Sequence, residues 1–132
     1  MAFSQPHFRI RSGDAAGLNT DSDWLAALDT NGSQPPDKLF RIRFEVESDS
    51  AISSAFKMQY RRNSGTWRDC PANNYTGNVD KLDVAYVSAQ YNDGAATTNL
   101  LAGSSATFVA GDGNENNLTA SITFAANNHS EF

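Results

Sequence analysis

Few residues of this 132-residue chain could do chemistry, and their types limit which chemistry is open to it. Two histidines, His7 and His129, and one cysteine, Cys70, are the side chains best suited to hold a transition metal or to act as base and nucleophile. A Cys/His zinc site with standard ligand spacing needs more of them than the chain holds. No nucleophile motif surrounds Cys70, and the adjoining Pro71 reads as the end of a strand. Asp112, Asn114 and Asn116 repeat the spacing of the first three ligands of a calcium loop. Asn117, however, takes the glycine position and Thr123 the bidentate glutamate position. Turn formation is the simpler use of these residues, with Ca²⁺ held by loop carbonyls and Asp21, Asp23 or Asp112 as the other reading. The glycines Gly111 and Gly113 are too few for a phosphate-binding loop. The sequence therefore predicts no catalytic residue, no cofactor and no metal, and the chain reads as a non-enzyme.

Aromatic residues offer the remaining chemistry. Trp24, Trp67, Tyr75, Tyr86 and Tyr91 could form a platform on which sugar rings stack, with Trp67, Tyr75 and Tyr91 as the candidate ligand-binding residues. The opposing expectation is that both tryptophans fill the interior, because each lies in an alternating segment. Arg61, Arg62 and Arg68 are the candidate basic cluster. With Asp69 beside them and a net charge of -5, they read as a solvated edge and not as a nucleic-acid surface.

These residues must be positioned by short extended elements. Aromatic and β-branched residues come in bursts separated by Gly, Asn, Asp, Ser and Pro, which suits strands and turns. The clearest strand spans 39–47, where Phe40, Ile42, Phe44 and Val46 share one face, read as core, and Arg41, Arg43, Glu45 and Glu47 the other, read as wet. The stretch 47–54 reads as a polar connection. Phe56, Met58 and Tyr60 then alternate with Lys57, Gln59 and Arg61, and Asn63-Ser64-Gly65 supplies a hairpin turn with 66–70 as the return arm. Phe8 and Ile10 mark a first strand, 81–90 and 107–110 further ones, and Leu118, Ala120, Ile122 and Phe124 the second cleanest alternation. Leu100 and Leu101 read as anchors within a long loop. The stretch 21–29 fits a capped helix or a strand equally well, and periodicity leaves both open. Asn31, Asn74, Asn117 and Asn128 head glycosylation triplets that read as chance in an Asn/Ser/Thr-rich chain.

One domain over residues 1–132 is expected from this length. No stretch approaches the ~18 apolar residues of a membrane span, and the start lacks the order of a signal peptide, so synthesis in the cytoplasm is expected. A lone cysteine leaves stability to packing. The patterns predict an all-β fold, a β-sandwich of about seven short antiparallel strands.

Taken in order, the motifs are Leu39-Phe40-Arg41-Ile42-Arg43-Phe44-Glu45-Val46-Glu47, Phe56-Lys57-Met58-Gln59-Tyr60 and Gly65-Thr66-Trp67. Asp93-Gly94-Ala95-Ala96-Thr97-Thr98-Asn99-Leu100-Leu101, Thr107-Phe108-Val109-Ala110-Gly111-Asp112-Gly113 and His129-Ser130-Glu131-Phe132 follow. The combination resembles an immunoglobulin-like or fibronectin-like module of tailed-bacteriophage particle proteins, also found in prophages, and covers nearly the whole chain from the Phe8 strand onward. The resemblance implies an immunoglobulin-like sandwich and an extended segment at 24–30. It also implies a virion structural role on capsid or tail, with other virion proteins or repeated copies of the chain as partners and neither nucleic acid nor membrane. A host-surface glycan is the alternative ligand. Related modules continue past the segment matching His129 to Phe132, so the resemblance implies an incomplete C-terminal sheet edge available for assembly.

Overall fold

The alternation of ring-bearing or branched side chains with charged ones across Phe40–Ser48 forms the longest strand among the described residues, and the main sheet is arranged around it. A computed structural model describes residues 3–13, 17–35, 38, 40–61, 63–69, 94–101, 103–113 and 118–132. In chain order the strands are β1 (Phe3–Ser4), β2 (Phe8–Ser12), β3 (Phe40–Ser48), β4 (Ile52–Ser54), β5 (Gln59–Tyr60) and β6 (Arg68–Asp69). They are followed by β7 (Ala95–Ala96), β8 (Thr107–Phe108), β9 (Asp112–Gly113), β10 (Ile122–Phe124) and β11 (Asn128–Glu131). The fold is all-β, with no helix among the described residues. In place of about seven strands, eleven short segments appear among those residues.

The main sheet runs β1-β3-β11-β8, with β2 also paired to β3. β1 and β2 follow one another along one edge of β3, and β11 takes the other. Phe3 pairs with Ser48 and Phe8 with Phe44, so the two registers are out of step by one residue, as at a β-bulge. Pro6, which has no N–H to donate, sits in the interruption, and the His7 carbonyl accepts from the Glu45 N–H at 2.9 Å. β11 is antiparallel to β3 and parallel to β8. Outside this sheet, β4 pairs with β10, β5 with β6 and β7 with β9, all antiparallel.

A cluster of rings joins the main sheet to the β4–β10 pair. Phe3 lies 5.1 Å from Phe56 and 5.6 Å from Phe124, and Phe56 lies 5.1 Å from Phe132. The first two contacts are edge-to-face, the favoured arrangement of ring quadrupoles. Phe124 is fully buried at its centre.

Several sequence expectations are corrected here. The charged face of β3 is the more deeply buried one: Arg43 and Glu45 are inside, while Phe40, Ile42, Phe44 and Val46 are half-buried. Alternation distinguishes two faces but cannot show whether distant segments cover both, and here residues 97–101 and 103–106 cover the charged side. The segment ending in His129-Ser130-Glu131-Phe132 is not an open edge, since β11 lies between β3 and β8 and His129, Ser130 and Glu131 are buried. Ile52–Ser54, expected as connection, is a strand held by β10, whereas of 56–60 only Gln59 and Tyr60 pair. Within 118–124 only Ile122–Phe124 is strand. Leu118 is exposed while Thr119 is buried, because the Thr119 N–H and hydroxyl are bonded to the Phe56 backbone. The 21–29 segment forms no helix. Trp24 bridges Arg11, the Leu25 N–H donates to Ile10, and positive φ at Asp23 (58°) and Asp29 (56°) is incompatible with a helix there. The strand expected at 81–90 lies outside the described residues.

Candidate functional site

The β5–β6 hairpin presents Trp67. The turn at 63–65 uses Asn63 at a φ of 50°, a conformation that asparagine tolerates better than most residues. Trp67 is 55% exposed, which corrects the expectation that it plugs the interior. The Arg61 guanidinium lies 4.8 Å from the ring centroid, within cation–π range. Trp67 also borders a cleft of about 490 Å³ whose wall includes Ile42, Phe44, Phe56, Met58 and Phe132. Tyr75, Tyr86 and Tyr91, the other members of the expected platform, lie outside the described residues, as do Cys70 and Arg62. Trp24 is half-buried and committed. Its Nε1–H donates to Asp21 at 2.6 Å, and the Arg9 and Arg11 guanidinium carbons lie 4.6 and 5.5 Å from its ring.

The expected calcium ligands are used locally. Asp112 is buried and accepts the Ala120 N–H at 2.6 Å, Asp21 accepts from Trp24, and Asp23 accepts from the Ser22 hydroxyl. Asn114, Asn116 and Asn117 lie outside the described residues. His7 Nδ1 meets the Asp29 carboxylate at 2.6 Å. That hydrogen bond raises the His7 pKa and lowers that of Asp29, which also accepts the Phe8 N–H.

A second polar cluster has no motif in the sequence. In the register of β3 and β11, Glu131 lies opposite Glu45 and His129 opposite Glu47, so all four project from the charged face. Arg43 Nε donates to Glu131 Oε2 at 2.5 Å, and its terminal nitrogens donate to the carbonyls of Leu18 and Thr98. Glu131 also accepts the N–H groups of Leu100 and Leu101, at 2.9 Å each, which is how those two leucines anchor the loop. Ser104 donates to Glu47, and His129 Nδ1 lies 2.9 Å from the Ala106 carbonyl. A carbonyl can only accept, so Nδ1 carries a proton, and Nε2 faces the cluster. Among the described residues, neither carboxylate oxygen of Glu45, nor His129 Nε2, has a hydrogen-bond partner, and Glu45 is 0% exposed. Burial pushes the Glu45 pKa up. Among the described residues, the group able to hold a cation is Glu45, His129 and Glu131, whose ligand atoms lie within 4.8 Å of one another. Alternation across 129–131 and 43–47 was the available signal, but the pairing of the two strands is not a local property of sequence.

No protein-family model, curated protein or solved structure matches the chain.

Proposed function

We propose that this chain is an immunoglobulin-like β-sandwich module of a bacteriophage virion, acting on the capsid or tail through protein contacts with other virion proteins or with further copies of itself. The observation that carries the reading is the surface at the β5–β6 hairpin. An exposed Trp67 paired with Arg61 stands beside an apolar cleft walled by Ile42, Phe44 and Phe132. Tryptophan, arginine and apolar recesses are the features that concentrate binding energy at protein interfaces. The all-β architecture, with aromatic packing between the main sheet and the β4–β10 pair, supports a sandwich. The virion assignment rests on the motif order described above.

The test is comigration. Tagged chain added during phage assembly is expected to sediment with particles, and Trp67→Ala to remain with free protein. Sedimentation apart from particles in every phage background tried would refute the proposal. Exposure of Trp67 also favours a second reading, recognition of a host-surface glycan by ring stacking. Glycan-dependent quenching of Trp67 fluorescence, without particle association, would establish that reading in its place.

A further inference from the structure

The buried cluster between β3 and β11 has an electrostatic imbalance. Glu131 is neutralised by Arg43, but Glu45 is fully buried with no hydrogen bond to either oxygen among the described residues. An isolated buried carboxylate is too costly to persist, so it must take up a proton or face a cation. A single proton between Glu45 and His129 Nε2, carried by either of them, partners one carboxylate oxygen and leaves the other without a partner. A divalent ion satisfies Nε2 and the Glu45 carboxylate together. Glu131 accepts from Arg43 and Leu100 on Oε2 and from Leu100 and Leu101 on Oε1, and it joins by giving up the longer branch of the shared Leu100 contact, 3.0 Å to Oε2.

We propose that Glu45, His129 and Glu131 bind a divalent first-row transition ion of the zinc type, which ties β3 to β11 beneath residues 97–101 and 103–106. One imidazole and two carboxylates suit such an ion better than Ca²⁺ or Mg²⁺, which prefer all-oxygen sites. His129 has the outer contact expected of a metal-bound imidazole, its Nδ1–H directed at a backbone carbonyl. Tetrahedral bonds of about 2.0–2.2 Å need ligand atoms ~3.3 Å apart, within reach of side-chain adjustment from the present separations. Glu47, opposite His129 in register, adds negative charge nearby. The ion enters as the sheet closes, so its binding is coupled to folding.

The experiment uses the full chain stripped with chelator and titrated with Zn²⁺ by calorimetry, with thermal unfolding in Zn²⁺ or EDTA. Expected are one saturable ion per chain and a melting temperature that rises with Zn²⁺. Glu45→Gln and His129→Gln should each weaken Zn²⁺ binding by more than about 100-fold, since even outer-contact changes at metal sites cost 10–100-fold. His7→Gln, at the other histidine, should bind as the unaltered chain does. Excess Mg²⁺ should not displace Zn²⁺. Co²⁺ titration of the unaltered chain gives a readout independent of whether the variants fold, with visible bands of a tetrahedral nitrogen/oxygen site expected. Absence of those bands together with absence of stoichiometric Zn²⁺ binding overturns the proposal, as does undiminished binding by a folded E45Q/H129Q double variant.

Discussion

Arg43 and Glu131 meet inside the sheet, Nε to Oε2 at 2.5 Å, although 88 positions separate them in the chain. Leu18, Thr98, Leu100 and Leu101 all bond to this pair, so it fastens two loops to the strands as well as the strands to each other. Removing one member of a buried pair strands the other charge. Arg43→Met is expected to lower stability by about 3–5 kcal/mol. In a double-mutant cycle with Glu131→Gln, the combined loss should fall short of the sum by about 0.5–3 kcal/mol. Urea unfolding measures both, and strict additivity would mean the two side chains do not interact.

The Thr97 hydroxyl joins two backbones. It donates to the Glu131 carbonyl at 2.6 Å and accepts the Gly111 N–H at 2.9 Å, all in a buried setting. Thr97→Val keeps the shape and leaves both backbone groups unpaired, at an expected cost of about 1–3 kcal/mol per group. Thr97→Ser should retain most of the stability in the same denaturation assay.

Gly111 lies against β11 so closely that a Cβ would overlap the Glu131 carbonyl and come within 2.6 Å of Ser130 Oγ. The obstacle is backbone and cannot swing aside, so Gly111→Ala is expected to destabilise by at least about 1–3 kcal/mol. Amide exchange should locate the damage, with protection lost at Val109 and Thr97, whose N–H groups bond to His129 and Gly111.

The His7–Asp29 pair sets a pH window. Asp29 raises the folded-state pKa of His7 above 6.5, so the His7 contribution is complete below that value and is lost as pH rises through the folded pKa. His7 lowers the folded-state pKa of Asp29 below 3.8, so its contribution is complete above 3.8 and is lost as pH falls through the folded value. The stability difference between the unaltered chain and His7→Gln should be largest between these limits and shrink on both sides. NMR titration of the His7 ring gives the upper boundary directly, and an unshifted midpoint would contradict the contact.

Trp67 is exposed and Trp24 is tied down, so the two should be separable. Trp67→Ala is expected to change stability by less than about 0.5 kcal/mol, the usual range for surface sites. It should also remove most of the fluorescence that iodide quenches.

Local pattern revealed what local forces decide. β2 and β3 were legible because alternation and β-forming side chains coincide at Phe8–Ser12 and Phe40–Ser48, and the Asn63 turn because few residues accept its φ. The burial of Arg43 and Glu45 was not, because it depends on residues 97–101 and 103–106 folding over them from far along the chain. Trp67 was legible as a candidate ligand residue, yet alternation assigned it to the interior, and only its place beside a hairpin turn explains its exposure. The Glu45–His129–Glu131 grouping had no signature, since it exists only in the β3–β11 register.

The insertion of β11 between β3 and β8 also bears on how the molecule assembles. A sheet whose middle place is filled by a distant segment must close a long loop before its central contacts form, and such topologies fold over milliseconds to seconds. Until then the edge of β3 that receives β11 stands unpaired, an adhesive ribbon of alternating side chains. Yield from bacterial expression should therefore depend on temperature and concentration more steeply than the final stability alone would suggest.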